Sequence, residues 1–202
     1  MVLYPVFLKL EGRKVLIVGG GQVAEEKIYA VLRSATDVTV VAPEITARIQ
    51  EWVDDGLVRH IAGEYREGMA SYYFLVIVCT DSETVNRSVY EEAHKAGVLC
   101  NAVDDPAYCD FYAGAVVSRG PLQIAISTGG NSPALAQRVR TKLEQQFGPE
   151  YGTWVEWLGR VREGLLKSLP RNQRRKELLH LLSESGPLRP GGPQTENLEA
   201  RP

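Results

Sequence analysis

Residues 15–27 read VLIVGGGQVAEEK, and within them Gly19, Gly21 and Ala24 stand in a G-x-G-x-x-A spacing. Each position answers a separate physical demand. Gly19 permits a tight turn, Gly21 has no Cβ to obstruct an anion approaching the backbone, and Ala24 lets the following helix lie close to the preceding strand. The start of that helix presents unpaired N–H groups and a partial positive charge. The chemistry that fits is capture of a dinucleotide pyrophosphate. In many such sites an acidic residue ends the second strand, about 20 residues on, and holds the ribose hydroxyls. Here that segment is VTVVAPE at 38–44, with Ala42 and Pro43 at the strand end and Glu44 late. Ribose recognition then leans on backbone groups or on Glu44, and the motif does not separate NAD from NADP.

A second constellation is GVLCNAVDDPAYCDF at 97–111. A strand ends at Asn101, and Asp104 and Asp105 follow in the loop at its carboxyl end, where ligands bind in an open α/β sheet. A carboxylate there could take a proton while a hydride leaves to a nicotinamide. The competing reading is an ordinary Asp-Asp-Pro turn. TDSETVN at 80–86 points at the same crevice. Thr80 is a candidate contact to cofactor or substrate, with Asp81 and Ser82 open to reading as helix caps.

The elements that must position these residues follow from periodicity. Strands are expected near 14–18, 38–42, 57–61, 74–79 and 98–101, and helices near 22–33, 45–54 and 83–96. This is the alternation of a doubly wound parallel sheet. Tyr4, Val6, Leu8 and Leu10 alternate over 4–10 and predict an added edge strand closed by Glu11-Gly12. After Pro106 the pattern changes. Segments 115–118 and 123–128 flank Arg119-Gly120-Pro121-Leu122 in a hairpin-like arrangement. Ser132-Pro133 reads as a helix start, with Leu135, Val139, Leu143 and Phe147 as its apolar stripe. A last helical region spans about 150–183, interrupted at Pro170. The tail from Gly186 has too little apolar surface to offset the entropy of ordering it. The expected division is a Rossmann-type domain over 1–112, a dimerisation and substrate-contact segment over 113–148, a helical region over 149–184 and a disordered tail over 185–202.

Composition bounds the partners. The 202 residues carry a formal charge of −2, which leaves no basic footprint for nucleic acid. RNQRRK at 171–176 reads as a solvated helix start. No signal peptide is expected, and no apolar run approaches the ~18 residues of a membrane span, so a cytoplasmic protein is predicted. Cys79, Cys100 and Cys109 are odd in number and lack C-x-x-C spacing, which points to neither a disulfide framework nor structural zinc. His60, His94 and His180 are scattered singly, and no metal site is predicted.

Taken together, YPVFLKLEGRKVLIVGGGQVAEEK at 4–27, VTVVAPE at 38–44, CTDSETVN at 79–86, CNAVDDPAYCDF at 100–111 and ISTGGNSPALAQRVRTKLE at 126–144 give the chain a clear likeness. It resembles the precorrin-2 dehydrogenase family of siroheme synthesis over about residues 4–150. One departure is Tyr112-Ala113-Gly114-Ala115, where the family commonly has a proline before the alanine.

The resemblance implies NAD-dependent oxidation of precorrin-2 to sirohydrochlorin, with one hydrogen leaving as hydride to the cofactor and one as a proton. It implies Asp104 as the general base, with Asp105 as a neighbour able to raise its pKa. NAD contacts fall on Gln22 and Val23 in the glycine turn and on Pro43 and Glu44, beside Gly19, Gly21 and Thr80. Precorrin-2 carries carboxylates, so its site should offer N–H groups and cations. Asn101 and the run Ser127, Thr128, Gly129, Gly130 and Asn131 are the expected substrate contacts; Arg138, Arg140 and Lys142 are left without a role. Some members also insert Fe²⁺ into sirohydrochlorin, and the residues do not separate these from pure dehydrogenases. The methyltransferase part of fused members is not expected in 202 residues. Related proteins form homodimers through the hairpin and helix. A reading of another class, an NAD-sensing regulatory Rossmann module, would have no need of the Asp104 loop or the ISTGGNSP segment.

Overall fold

In the computed structural model, residues 3–187 are described. They form two compact units divided between Ala113 and Gly114. The first unit is built on five parallel strands, β1 (Lys14–Val18), β2 (Asp37–Ala42), β3 (Val58–Ala62), β4 (Leu75–Val78) and β5 (Leu99–Ala102), in the spatial order β3-β2-β1-β4-β5. Helices α1 (Gln22–Leu32), α2 (Ala47–Asp54) and α3 (Glu83–Ala96) connect them. Near-continuous apolar runs such as VLIV and LVIV suit strands covered on both faces. Val15 and Ile17 pack with Ala24 and Ile28 of α1 and with Ile49 and Trp52 of α2. Leu16 and Val18 face the other way, against Val89 and Ala93 of α3. The chain leaves β1 toward β2 on one side, while β4 lies on the other. That reversal opens a crevice at the carboxyl ends of β1 and β4.

The helix ends are fixed locally. The Thr46 hydroxyl accepts the Ile49 N–H at the start of α2, and Ser82 accepts the Val85 N–H at the start of α3. Gly97, in the left-handed conformation at φ +70°, ends α3.

Residues 4–10 form no strand, in contrast to the expectation from their alternation. Only Leu10 is buried, and Phe7 lies outside together with Tyr4, Val6 and Leu8, so neither face of the alternation is covered. Beyond β5, the sheet edge is taken by residues of the following loop instead. Asn101 bridges Cys109, and the Asp110 N–H donates to the Cys100 carbonyl at 2.8 Å.

The second unit opens with the antiparallel hairpin β6 (Ala115–Arg119) and β7 (Leu122–Ile126), joined at Gly120-Pro121 with Arg119 opposite Leu122. Helix α4 (Pro133–Gln146) starts at Ser132, whose hydroxyl accepts the Leu135 N–H. Its buried residue is Ala136, while Leu135 stays half exposed, so the covered stripe runs one position off the predicted start. Arg119 closes the far end of α4, donating to the Phe147 and Glu144 carbonyls at 2.8 and 3.3 Å. Helices α5 (Glu150–Ser168) and α6 (Gln173–Glu184) follow. Gly152 of α5 lies directly on the hairpin turn, where a Cβ would stand 3.2 Å from the Arg119 carbonyl. Asn172 caps α6, and the basic run there is exposed apart from Arg175, which reaches back to the Leu169 carbonyl. The tail predicted to be disordered lies outside the described residues from position 188 onward.

Candidate functional site

The glycine turn is held by its neighbours on both sides. The Gly19 N–H donates to the Val41 carbonyl, the Cys79 N–H to Val18, and the Thr46 N–H to Gly20. Gly19 sits at φ +115°, and a Cβ there would lie 2.5 Å from the Cys79 carbonyl oxygen. Gly20 is more confined still. Its Cβ would run into the Glu44 carbonyl and within 2.8 Å of the Ala42 side chain. Gly21 differs from both: nothing lies within 4 Å of its Cβ position. It stands at the N-cap of α1 and supplies no side-chain acceptor, so the first N–H groups of the helix face open space. Closely packed glycines beneath and an open one at the helix mouth form a cradle that fits a pyrophosphate.

A cleft of about 760 Å³ opens above this turn. The sequence-predicted Gly19, Gly21, Gln22, Val23, Pro43, Glu44 and Thr80 all line it, joined by Gly20, Gly63, Glu64, Tyr65 and Cys79. Two devices shape its walls. Thr46 donates from its hydroxyl to the Glu25 carboxylate at 2.9 Å, tying the loop after β2 to α1. Thr80 donates to Asn86 Oδ1 at 2.7 Å, while the Asn86 amide returns a bond to the Thr80 carbonyl, which sets the loop after β4. Burial pushes the Cys79 thiol up to about 12, against a smaller opposing pull from Lys27 and with a further push from Asp104. Cys79 is therefore a neutral wall, and Asp104 shares its electrostatic surroundings.

Asp104 is, among the described residues, the one non-glycine residue at positive φ, +64°. Asp tolerates this conformation better than most side chains, at some energetic cost. The loop around it is pinned by polar groups. Asp105 caps the short 3-10 turn 106–108 by accepting the Ala107 N–H, so its carboxylate is engaged in the turn. The Cys109 thiol donates to the Ala102 and Asp105 carbonyls, and Asp110 accepts the Cys100 N–H at 2.9 Å. Asn101 is buried, and its amide nitrogen donates to the Phe111 carbonyl at 2.7 Å and to Cys109 Sγ at 3.2 Å. The Asn101 amide nitrogen is thus engaged by the loop that carries Asp104. Asp104 stays exposed at the surface of this scaffold.

An NAD(P)-binding family model matches residues 6–115, and the model for the central part of sirohaem biosynthesis proteins matches 119–146. SirC, a precorrin-2 dehydrogenase of solved structure, is 32% identical with a TM-score of 0.76, covering 89% of each chain. The chain belongs to the sirohaem biosynthesis family of NAD(P)-binding proteins. Siroheme synthase 2 of Yersinia enterocolitica is 38% identical over 160 residues, 79% of this chain and 34% of that protein. The siroheme synthase of Photorhabdus laumondii is 37% identical over 172 residues, 85% of this chain and 37% of its own length. The chain thus spans about a third of the length of these curated relatives.

The family's ISTGGNSP segment lies in the second unit. The Ser127 hydroxyl accepts the Gly129 N–H, the Thr128 hydroxyl accepts the Ser132 N–H, and the Asn131 amide donates to the Thr128 carbonyl. Gly129 and Gly130, at φ +61° and +83°, need glycine for the turn itself. Sequence reasoning missed Gly20, Thr46, Glu64 and Glu92. The first could have been found from the unbroken Gly19-Gly20-Gly21 run; the others depend on contacts between elements distant in sequence.

Proposed function

We propose that this protein oxidises precorrin-2 to sirohydrochlorin with NAD, with Asp104 as the group that removes the proton. The observation that carries the reading is the Asp104 loop: a carboxylate at positive φ, exposed beyond β5 on a loop held by Asn101, Asp105, Cys109 and Asp110. Its place at the carboxyl end of the sheet is the end at which the glycine turn also lies. When bound, the nicotinamide supplies the hydride acceptor. The residues of the chain do the rest. The α1 N-terminus holds the pyrophosphate over Gly21, and Gln22, Val23, Pro43, Glu44 and Thr80 fix the dinucleotide along the cleft. The Asp104 carboxylate accepts the proton from the macrocycle. Ser127 to Asn131 offer hydroxyl, amide and backbone groups to the substrate carboxylates, a role supported by the exposure of Ser127, Gly129, Gly130 and Asn131 and by the match of this segment to the family model.

The second unit is assigned to homodimer formation. Val116, Leu135 and Trp157 are 41%, 50% and 40% exposed in the single chain, apolar surface of the kind a symmetric partner covers. A cytoplasmic location is in keeping with three free cysteines and with the absence, among the described residues, of any helix long and apolar enough to cross a membrane. Anaerobic mixing of the purified protein with NAD and precorrin-2 tests the activity, because the gain in conjugation is visible by absorbance. No spectral change with a protein that binds NAD would leave the regulatory module as the better description.

A further inference from the structure

Among the described residues, three charged ones line the dinucleotide cleft, Glu44, Glu64 and Asp81, and all three are acidic. Arg66, in the same loop as Glu64, does not line it. Glu44 and Glu64 are brought together by strand register. Ala42 of β2 pairs with Ala62 of β3, and each glutamate stands two residues beyond its alanine. The Gly63 N–H donates to the Ala42 carbonyl at 3.1 Å, which keeps the two loops side by side. The loop carrying Glu64 is further fixed from α3. The Glu92 carboxylate accepts the Tyr65 hydroxyl at 2.6 Å and the Gly68 and Ser71 N–H groups at 2.9 and 3.2 Å.

With the pyrophosphate at the start of α1, the adenosine half of a dinucleotide runs toward the ends of β2 and β3. We propose that Glu44 and Glu64 act as a pair that selects the cofactor, admitting an adenosine ribose with free hydroxyls and rejecting one that is 2′-phosphorylated. This rests on the reading of the cleft as the dinucleotide site. Ribose hydroxyls donate hydrogen bonds to carboxylates. A 2′-phosphate instead brings about −1.5 to −2 charges at neutral pH against two carboxylates, with no cation on the cleft wall among the described residues. Glu64 is the more informative member, because Glu44 also packs its backbone against Gly20 and its replacement touches the turn.

The test is direct titration of the full-length protein with NAD⁺ and with NADP⁺, at low and high salt, for the unaltered chain and for Glu64→Gln, Glu64→Arg and Glu44→Gln. The unaltered protein should bind NADP⁺ at least about tenfold more weakly than NAD⁺, a gap that narrows with salt. Glu64→Arg should shift the ratio of the two constants toward NADP⁺ by about tenfold or more, and Glu64→Gln by less. Equal affinities in the unaltered chain, or an unchanged ratio in Glu64→Arg that still binds NAD⁺, would overturn the pair. If the unaltered chain bound neither dinucleotide, the cofactor reading itself would fall, and the pair with it.

Discussion

The glycine turn after β1 and the Asp104 loop after β5 leave the sheet at the same end, yet they are made rigid by opposite means. The turn is shaped by missing side chains: Gly19 and Gly20 let the backbones of Cys79 and Glu44 come into contact with it. The loop is shaped by side chains that are present. Asn101, Asp105 and Cys109 bond to its backbone, and Asp110 ties it to the Cys100 N–H of β5. A surface built from absences suits binding, since it leaves room and exposes N–H groups. One built from polar staples suits chemistry, because it can hold a single carboxylate in a conformation that the chain alone would not choose.

The largest effect should come from the loop. Asp104→Ala should lower turnover by about 10²–10⁴-fold, the usual worth of a positioned general base, with NAD affinity retained. Asp105→Ala should do less, since its carboxylate caps a turn. Steady-state rates paired with NAD titrations separate the two. A reversed order of severity would move the base to Asp105, and unchanged rates in both would return the segment to a plain turn.

The turn predicts a different split. Gly21→Val should fold normally, because space is open around its Cβ position, yet lose NAD binding as measured by calorimetry. Gly20→Ala should instead cost about 1–3 kcal/mol of stability through overpacking against the Glu44 backbone. Urea midpoints for the two variants check this. If Gly21→Val kept its NAD affinity, the dinucleotide would not lie over Gly21.

Asn101→Ala should cost about 1–3 kcal/mol, because the half-buried Phe111 carbonyl loses its donor. Turnover should fall with it through a loosened loop, while NAD affinity at the turn stays. Loss of NAD affinity comparable to the loss of rate would mean that the two regions are not separately held.

These contrasts explain what was legible in the sequence. Strands and helices of the first unit follow the apolar runs to within a residue or two, because both sheet faces are buried and the pattern has few other ways to fold. Caps such as Ser82 and Ser132 are local, and they read correctly. The glycine spacing is local too. What was not legible depended on partners far along the chain. The alternation at 4–10 is a strand pattern, but a strand also needs a free edge, and the loop at 109–110 occupies the one beyond β5. The bond from the Asn101 amide to a carbonyl ten residues later has no local signal. Glu64 carries no local signal, and only the register of β2 and β3 sets it beside Glu44.

The smallest expected effect links the two regions through their thiols. Cys79 lies under the glycine turn and Cys100 in the strand before the Asp104 loop, and burial pushes each up to about 12 from an ordinary 9.0. In the unfolded chain these thiols ionise first. The stability they contribute is therefore complete below about pH 9 and is lost as pH rises from 9 toward 12. Cys79→Ala and Cys100→Ala should each flatten the fall in urea midpoint over that window. The charge of Asp104 adds to the upward push on Cys79 but is not among the causes acting on Cys100. Asp104→Asn should therefore make Cys79 alkylate slightly faster in alkaline buffer and leave Cys100 unchanged. An equal response at both thiols would signal a general loosening of the fold. No response at Cys79 would mean that Asp104 and the glycine turn do not share one electrostatic crevice, and the case for joining them in a single reaction would weaken accordingly.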